Sequence, residues 1–123
     1  MERREAEREA QPGAREIDVL LDGAGTILSV YAGSEAEAMA RALNVGRELV
    51  QQIYPADREF LATTCQWVRE NPGREATARV RFIRRNGKLF TSYATCRGES
   101  RFTRIILVPD EAAFARRAER QMR

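Results

Sequence analysis

The chain has 123 residues, 43% of them hydrophobic and 32% charged, with a formal net charge of +3. That is the size of one domain, long enough to bury a core without disulfide or metal staples. No run approaches the ~20 apolar residues of a membrane span, and the charged N-terminus MERREAEREAQPG lacks the apolar segment of a secretory signal; a cytoplasmic domain with no membrane partner is expected.

The basic excess is carried by 20 Arg and a single Lys, with acidic residues interleaved. It reads as compositional bias rather than a phosphate-binding face, so no nucleic-acid partner is expected. There is no histidine. That removes Ser-His-Asp and Cys-His nucleophile activation, the commonest neutral metal ligand and the usual proximal ligand of haem. Asp57 and Glu75 are candidate bases without a visible partner constellation. The expectation is a non-enzyme with no catalytic or metal site.

Residues 2–10 read as a charged helix too poor in apolar side chains to stand alone in water. It is the end of a longer helix, or it packs on the domain or on a partner. Ile17–Asp22 and Thr26–Tyr31 are apolar runs around Asp22-Gly23-Ala24-Gly25, a strand–turn–strand pattern. Ser34 and Glu37 have capping-box spacing for a helix over 35–43. A short helical turn follows between Gly46 and Tyr54. Asp57 is the expected cap of a helix over 57–71, with Phe60, Leu61, Thr64, Cys65 and Val68 on its buried face, bordered by Trp67. Asn71-Pro72-Gly73 ends it. Residues 76–84 alternate as a strand, Asn86-Gly87 is a two-residue hairpin signal, Leu89–Cys96 is the return strand, and Arg97–Ser100 a turn. Phe102–Val108 is the fifth strand, and Asp110 caps a last helix over 111–122. The order predicts an α+β domain: a five-stranded antiparallel sheet, a helical insert on one face, and a helix at each end. Its parts are an N-terminal helix (1–13), a core (14–110) and a C-terminal output helix (111–123).

Four segments, in order, resemble the PAS sensor family: IDVLLDGAGTILSVY, GRELVQQIYPADRE, ARVRFIRRNGKLFTSYATC and IILVPDEAAFARRAER. The resemblance implies a regulatory signalling module, a fragment of a larger signalling protein with an effector such as a sensor kinase, cyclase or transcription regulator in the same polypeptide, or one acting on a signalling partner. Leu49 stands where the flavin-binding branch has its reactive Cys, so no flavin–cysteine photoadduct is expected, and His-ligated haem is disfavoured. The family pattern Asp-Ile-Thr is here Asp110-Glu111-Ala112, without the Thr hydroxyl.

The resemblance also places a candidate ligand pocket on the inner face. Val80, Phe82, Phe90, Ser92, Ala94, Cys96, Arg104, Ile106 and Val108 would form one wall; Leu49, Ile53, Leu61, Cys65 and Val68 would form the other. A small apolar or carboxylate ligand is one reading; a filled core without a cavity is the other. Arg104 would meet a carboxylate, or snorkel or pair with a Glu. Cys65 and Cys96 are expected to be inert buried thiols, with redox sensing the alternative. Tyr93, Ile105 and Leu107 are assigned to the outer face, where a second copy and the N-terminal helix would form a homodimer, although packing of that helix within the chain would serve equally well. Asp110 and Phe114 belong to the output helix. A ligand-free dimerisation or protein-interaction module is the second functional reading.

Overall fold

The computed structural model describes residues 12–99 and 101–110. The expected helices at 2–10 and 111–122, with Phe114, lie outside the described residues.

Strand β1 (Ile17–Leu21) and strand β2 (Ile27–Ala32) form a hairpin. Its turn is built by Asp22, whose Oδ1 accepts the Ala24 and Thr26 amides at 2.9 and 3.0 Å, while Gly25 takes the left-handed φ of 87°. Helix α1 is a single turn, Glu37–Ala40. The capping box does not form. Ala36, not Ser34, is the N-cap, without a side-chain bond; the Glu35 and Ala36 amides donate to the Ala14 and Gly33 carbonyls, which leaves Ser34 in the turn before the helix. A 3-10 turn, Leu49–Gln52, follows.

Helix α2 runs from Pro55 to Glu70 with Pro55 in its first turn and Tyr54 at the N-cap. It therefore starts two residues before the expected position, because proline's missing N–H and fixed φ suit the first helical position. Asp57 lies inside the helix and turns to β3 (Glu75–Ile83), where its carboxylate takes the Arg81 backbone amide and guanidinium at 2.9 Å each. The buried stripe of α2 is Leu61, Cys65 and Val68. Phe60 and Trp67 are exposed, outside the face expected for them.

The next hairpin joins β3 to β4 (Leu89–Glu99). Gly87 N–H donates to Arg84 O and Arg84 N–H to Lys88 O. The loop is thus the three residues 85–87 with Gly87 at φ 80°, rather than the two-residue turn expected for Asn86-Gly87. Strand β4 continues through the expected turn at Arg97–Glu99 and pairs Gly98 with Thr103.

With β5 (Phe102–Pro109) the sheet has the order β2-β1-β5-β4-β3, antiparallel throughout. The helices cover one face: the α+β architecture expected from the sequence. Among the described residues no helix is long and apolar enough to cross a membrane.

Register corrects the reading of β5. Ala94 and Cys96 face the core, and their partners across the ladder are Leu107 and Ile105. Facing partners share a face, so Ile105 and Leu107, both 0% exposed, are core residues and not outer-face ones. Arg104, Ile106 and Val108 point to the opposite face, and Val108 is exposed. The run Ile105–Val108 is apolar at both parities, which left alternation nothing to distinguish.

The core face of β5 also carries Thr103, wholly buried, with a hydroxyl that has no hydrogen-bond partner. An unsatisfied buried hydroxyl costs about 1–3 kcal/mol, and valine has nearly the same shape. Thr103→Val is expected to raise the urea midpoint with an unchanged m-value; a lowered midpoint would show that the hydroxyl is satisfied in solution.

Candidate functional site

The inner face of the sheet was the expected pocket wall. Val80, Phe82, Phe90, Ala94 and Cys96 lie there in one buried cluster with Leu49, Ile53, Leu61, Cys65 and Val68. Ser92 is buried beside them at 0% exposure, and its hydroxyl donates to the Tyr93 carbonyl at 3.3 Å. The Phe82 and Phe90 rings stack at 5.2 Å between centroids, an apolar pair at the β3 edge of this layer, beside the β3–β4 hairpin. Eleven of the fourteen expected pocket residues are thus brought together; Arg104, Ile106 and Val108 are not.

Cys65 on α2 and Cys96 on β4 come together across the helix–sheet contact as free, buried thiols. Interaction with the Cys96 thiol, and beyond it the charge of Arg69, draws Cys65 below the usual thiol range. The same interaction, reinforced by burial, pushes Cys96 up. The two thiols thus titrate as a coupled pair, displaced in opposite directions. Sequence spacing gave no sign of their proximity.

The outer face has a charged centre. Arg104 Nη1 donates to both carboxylate oxygens of Asp18 at 2.8 Å, and Arg104 Nε to Glu99 at 3.0 Å. Asp18 and Arg104 are buried. Burial pushes the Asp18 carboxyl above its ordinary range, and Arg104 pulls against that rise. Asp18 was missed in the sequence; the signal available was an acid inside the apolar run IDVLLD, at the parity opposite to Ile17 and Val19. Leu20, 1% exposed, lies on this face as well.

Around that centre the face is mixed and partly open, with the Thr77 and Thr95 hydroxyls 3.2 Å apart on it. Tyr31, Tyr93 and Val108 are exposed. Tyr93 and Val108 are cross-strand neighbours, and the Arg79 guanidinium lies 5.8 Å from the Tyr93 ring centroid. Asp110, at the end of β5, is joined to Arg79 at 3.5 Å, and its amide donates to Thr91 O. The helix it was expected to cap is not among the described residues. Among those residues no group of three or more His, Cys, Asp or Glu is placed to hold a metal ion.

The strand order 2-1-5-4-3, with the helical insert between β2 and β3 on the inner face, recurs in solved structures. The PAS domain of the RpfR quorum-sensing receptor from Cronobacter turicensis, solved with BDSF, superposes with a TM-score of 0.63 at 14% identity over 82% of this chain and 99% of that one. The fold is that of a PAS domain. Cycle PAS-B from Drosophila melanogaster, solved with ethylene glycol, gives a TM-score of 0.60 at 13% identity over 76% of this chain and 97% of that one. The PAS domain of an HTR-like protein from Haloarcula marismortui gives 0.58 at 21% identity over 86% and 97%. No protein-family model and no curated protein sequence matches the chain. The PAS fold is thus carried by topology and by which face each strand residue takes, with little residue identity beneath it.

Proposed function

We propose that this PAS domain is a non-catalytic regulatory module of the cytoplasm, which passes a signal to an effector in the same polypeptide or to a partner protein through its outer sheet face. The observation that carries the reading is the asymmetry of the sheet. One face is closed by the helices, and the other presents Tyr31, Tyr93 and Val108 to solvent beside the buried Asp18–Arg104 pair. Exposed apolar side chains on one sheet face, Tyr93 and Val108 adjacent among them, favour a cover, and a second copy of the chain is the cover proposed here. RpfR is a receptor solved with its ligand BDSF; by analogy a small apolar or carboxylate molecule is the signal proposed for the inner face.

A ligand-free interaction module is the second reading. It is favoured by the inner face itself, where the Phe82 and Phe90 rings stack on each other and lie in one buried cluster with Leu49, Ile53, Leu61 and Val68. Native mass spectrometry of the purified chain separates the two: a retained small molecule supports the sensor, and a clean polypeptide mass supports the interaction module.

The dimer is tested by sedimentation. The parent chain is expected to sediment as a dimer and Tyr93→Arg as a monomer, with the far-ultraviolet spectrum unchanged. Identical sedimentation of the two would remove the outer face from the interface.

A further inference from the structure

Helix α1 and the β3–β4 loop face each other across an open cleft of about 290 Å³. One side is apolar, formed by Ala38, Met39 and Ala42; Arg41, Arg84 and Arg85 supply the charge. No carboxylate lines it among the described residues. None of the expected pocket residues lines it either.

Arg84 is the informative member. Its Nε–H is buried and has no hydrogen-bond partner, while its guanidinium lies over the Phe90 ring, 5.3 Å from the centroid. The ring offsets part of the charge but does not serve as a full acceptor for the N–H. The residue as a whole is half-buried, and an unpaired buried donor is a polar defect that a bound acceptor would relieve. Contact with the ring restrains the guanidinium, whose planar donor fork matches a carboxylate or a phosphate. Arg41 and Arg85 add two further positive charges to the same cleft.

We propose that this cleft binds a small organic anion: a carboxylate or phosphate head on the Arg84 fork between Arg41 and Arg85, and a short apolar body against Ala38, Met39 and Ala42. The site is separate from the inner-face pocket, and its standing does not depend on the sensor reading. It nevertheless touches the core, because Phe90 carries Arg84 on one side and packs on Phe82 within the sheet layer.

The test is a titration followed by 1H–15N spectroscopy of arginine Nε–H groups and backbone amides, with hexanoate, hexyl phosphate, inorganic phosphate and hexanol as probes. Saturable shifts of the Arg84 Nε–H and of the Asn86 amide with hexanoate or hexyl phosphate are expected, at least tenfold tighter than with inorganic phosphate or hexanol. Hexanoate the tighter of the two assigns a carboxylate head; hexyl phosphate the tighter assigns a phosphate. Arg84→Gln is expected to weaken binding at least tenfold. Arg41→Gln, at an exposed position, is expected to weaken it several-fold, and Arg79→Gln on the outer face to leave it unchanged. Equal affinity for hexyl phosphate and inorganic phosphate, equal affinity for hexanoate and hexanol, or unsaturable shifts spread over all arginines would overturn the proposal.

Discussion

Gly98→Ala is expected to destabilise the domain by about 3 kcal/mol or more, since overpacking beside immovable neighbours reaches the upper end of its usual range. An alanine Cβ at this position would stand 2.5 Å from the Val68 carbonyl oxygen, 3.1 Å from its carbon and 3.3 Å from the Arg69 Cα. All three are backbone atoms of α2, so no rotamer change relieves the contact. Either the helix lifts from β4 or the strand bends, and both movements open the layer that holds Cys65, Val68 and Cys96. The requirement is one of space: Gly98 is a strand residue outside the left-handed region. For a domain this size the loss corresponds to a fall of roughly 15 °C in Tm. Gly23→Ala is the control, because a Cβ there meets nothing within 4 Å. A Gly98 variant as stable as the Gly23 variant would show that the helix–sheet spacing adjusts freely.

Arg104→Met is expected to cost about 3–5 kcal/mol at pH 7, the range for removing one partner of a buried ion pair. The loss comes from what is left behind. Asp18, 4% exposed, would keep Glu99 and Glu16 as charged neighbours and lose the Nη1 donor that spans its two oxygens. The pH dependence follows from the direction of the shift. Burial already holds the Asp18 carboxyl above its ordinary value, and without Arg104 it rises further. Between the ordinary and the raised values the folded chain holds a proton that the unfolded chain releases, so stability falls as pH rises through that window and returns on acidification. The deficit of the variant relative to the parent should therefore shrink between pH 7 and pH 4.5, as read by urea unfolding at both. A deficit independent of pH would locate the loss elsewhere than in Asp18. Asp18→Leu combined with Arg104→Met should recover most of the stability, because it removes the stranded charge.

The order of elements was legible because turn chemistry is local. Asp22-Gly23-Ala24-Gly25, Pro72-Gly73 and Asn86-Gly87 each break a periodic run where the structure breaks it. Faces were legible only where apolar and polar residues alternate. Strand β3 places Ala78, Val80 and Phe82 inward as its pattern requires. Strand β5 has no such pattern, and there the register with β4 decides. Phe60 fits the helical spacing of the expected buried face of α2, yet Leu61, Cys65 and Val68 complete that stripe and Phe60 lies at its exposed border. The interactions between elements left no local trace. Asp57 reaches Arg81, 24 positions away, and Arg104 reaches Asp18, 86 positions away. Gly98 looked like a turn residue, because a close approach by another backbone leaves the same glycine in the sequence as a bend does.

The segment between α1 and α2 bonds to both edges of the sheet. At one edge the Ile27 amide donates to Arg47 O and Gly46 N–H to Ile27 O; at the other Tyr54 N–H donates to Arg81 O and Ile53 bridges Phe82. In a flat five-stranded sheet, attachment points one spacing beyond each edge would stand about 29 Å apart, six strand spacings of ~4.8 Å. Residues 47–54, with a 3-10 turn among them, reach only about 18 Å. The sheet must therefore curl toward the helices for both attachments to hold, and the length of this tether sets its curvature. Flattening the sheet would require one edge to let go, so curvature and edge attachment are a single mechanical variable of the domain.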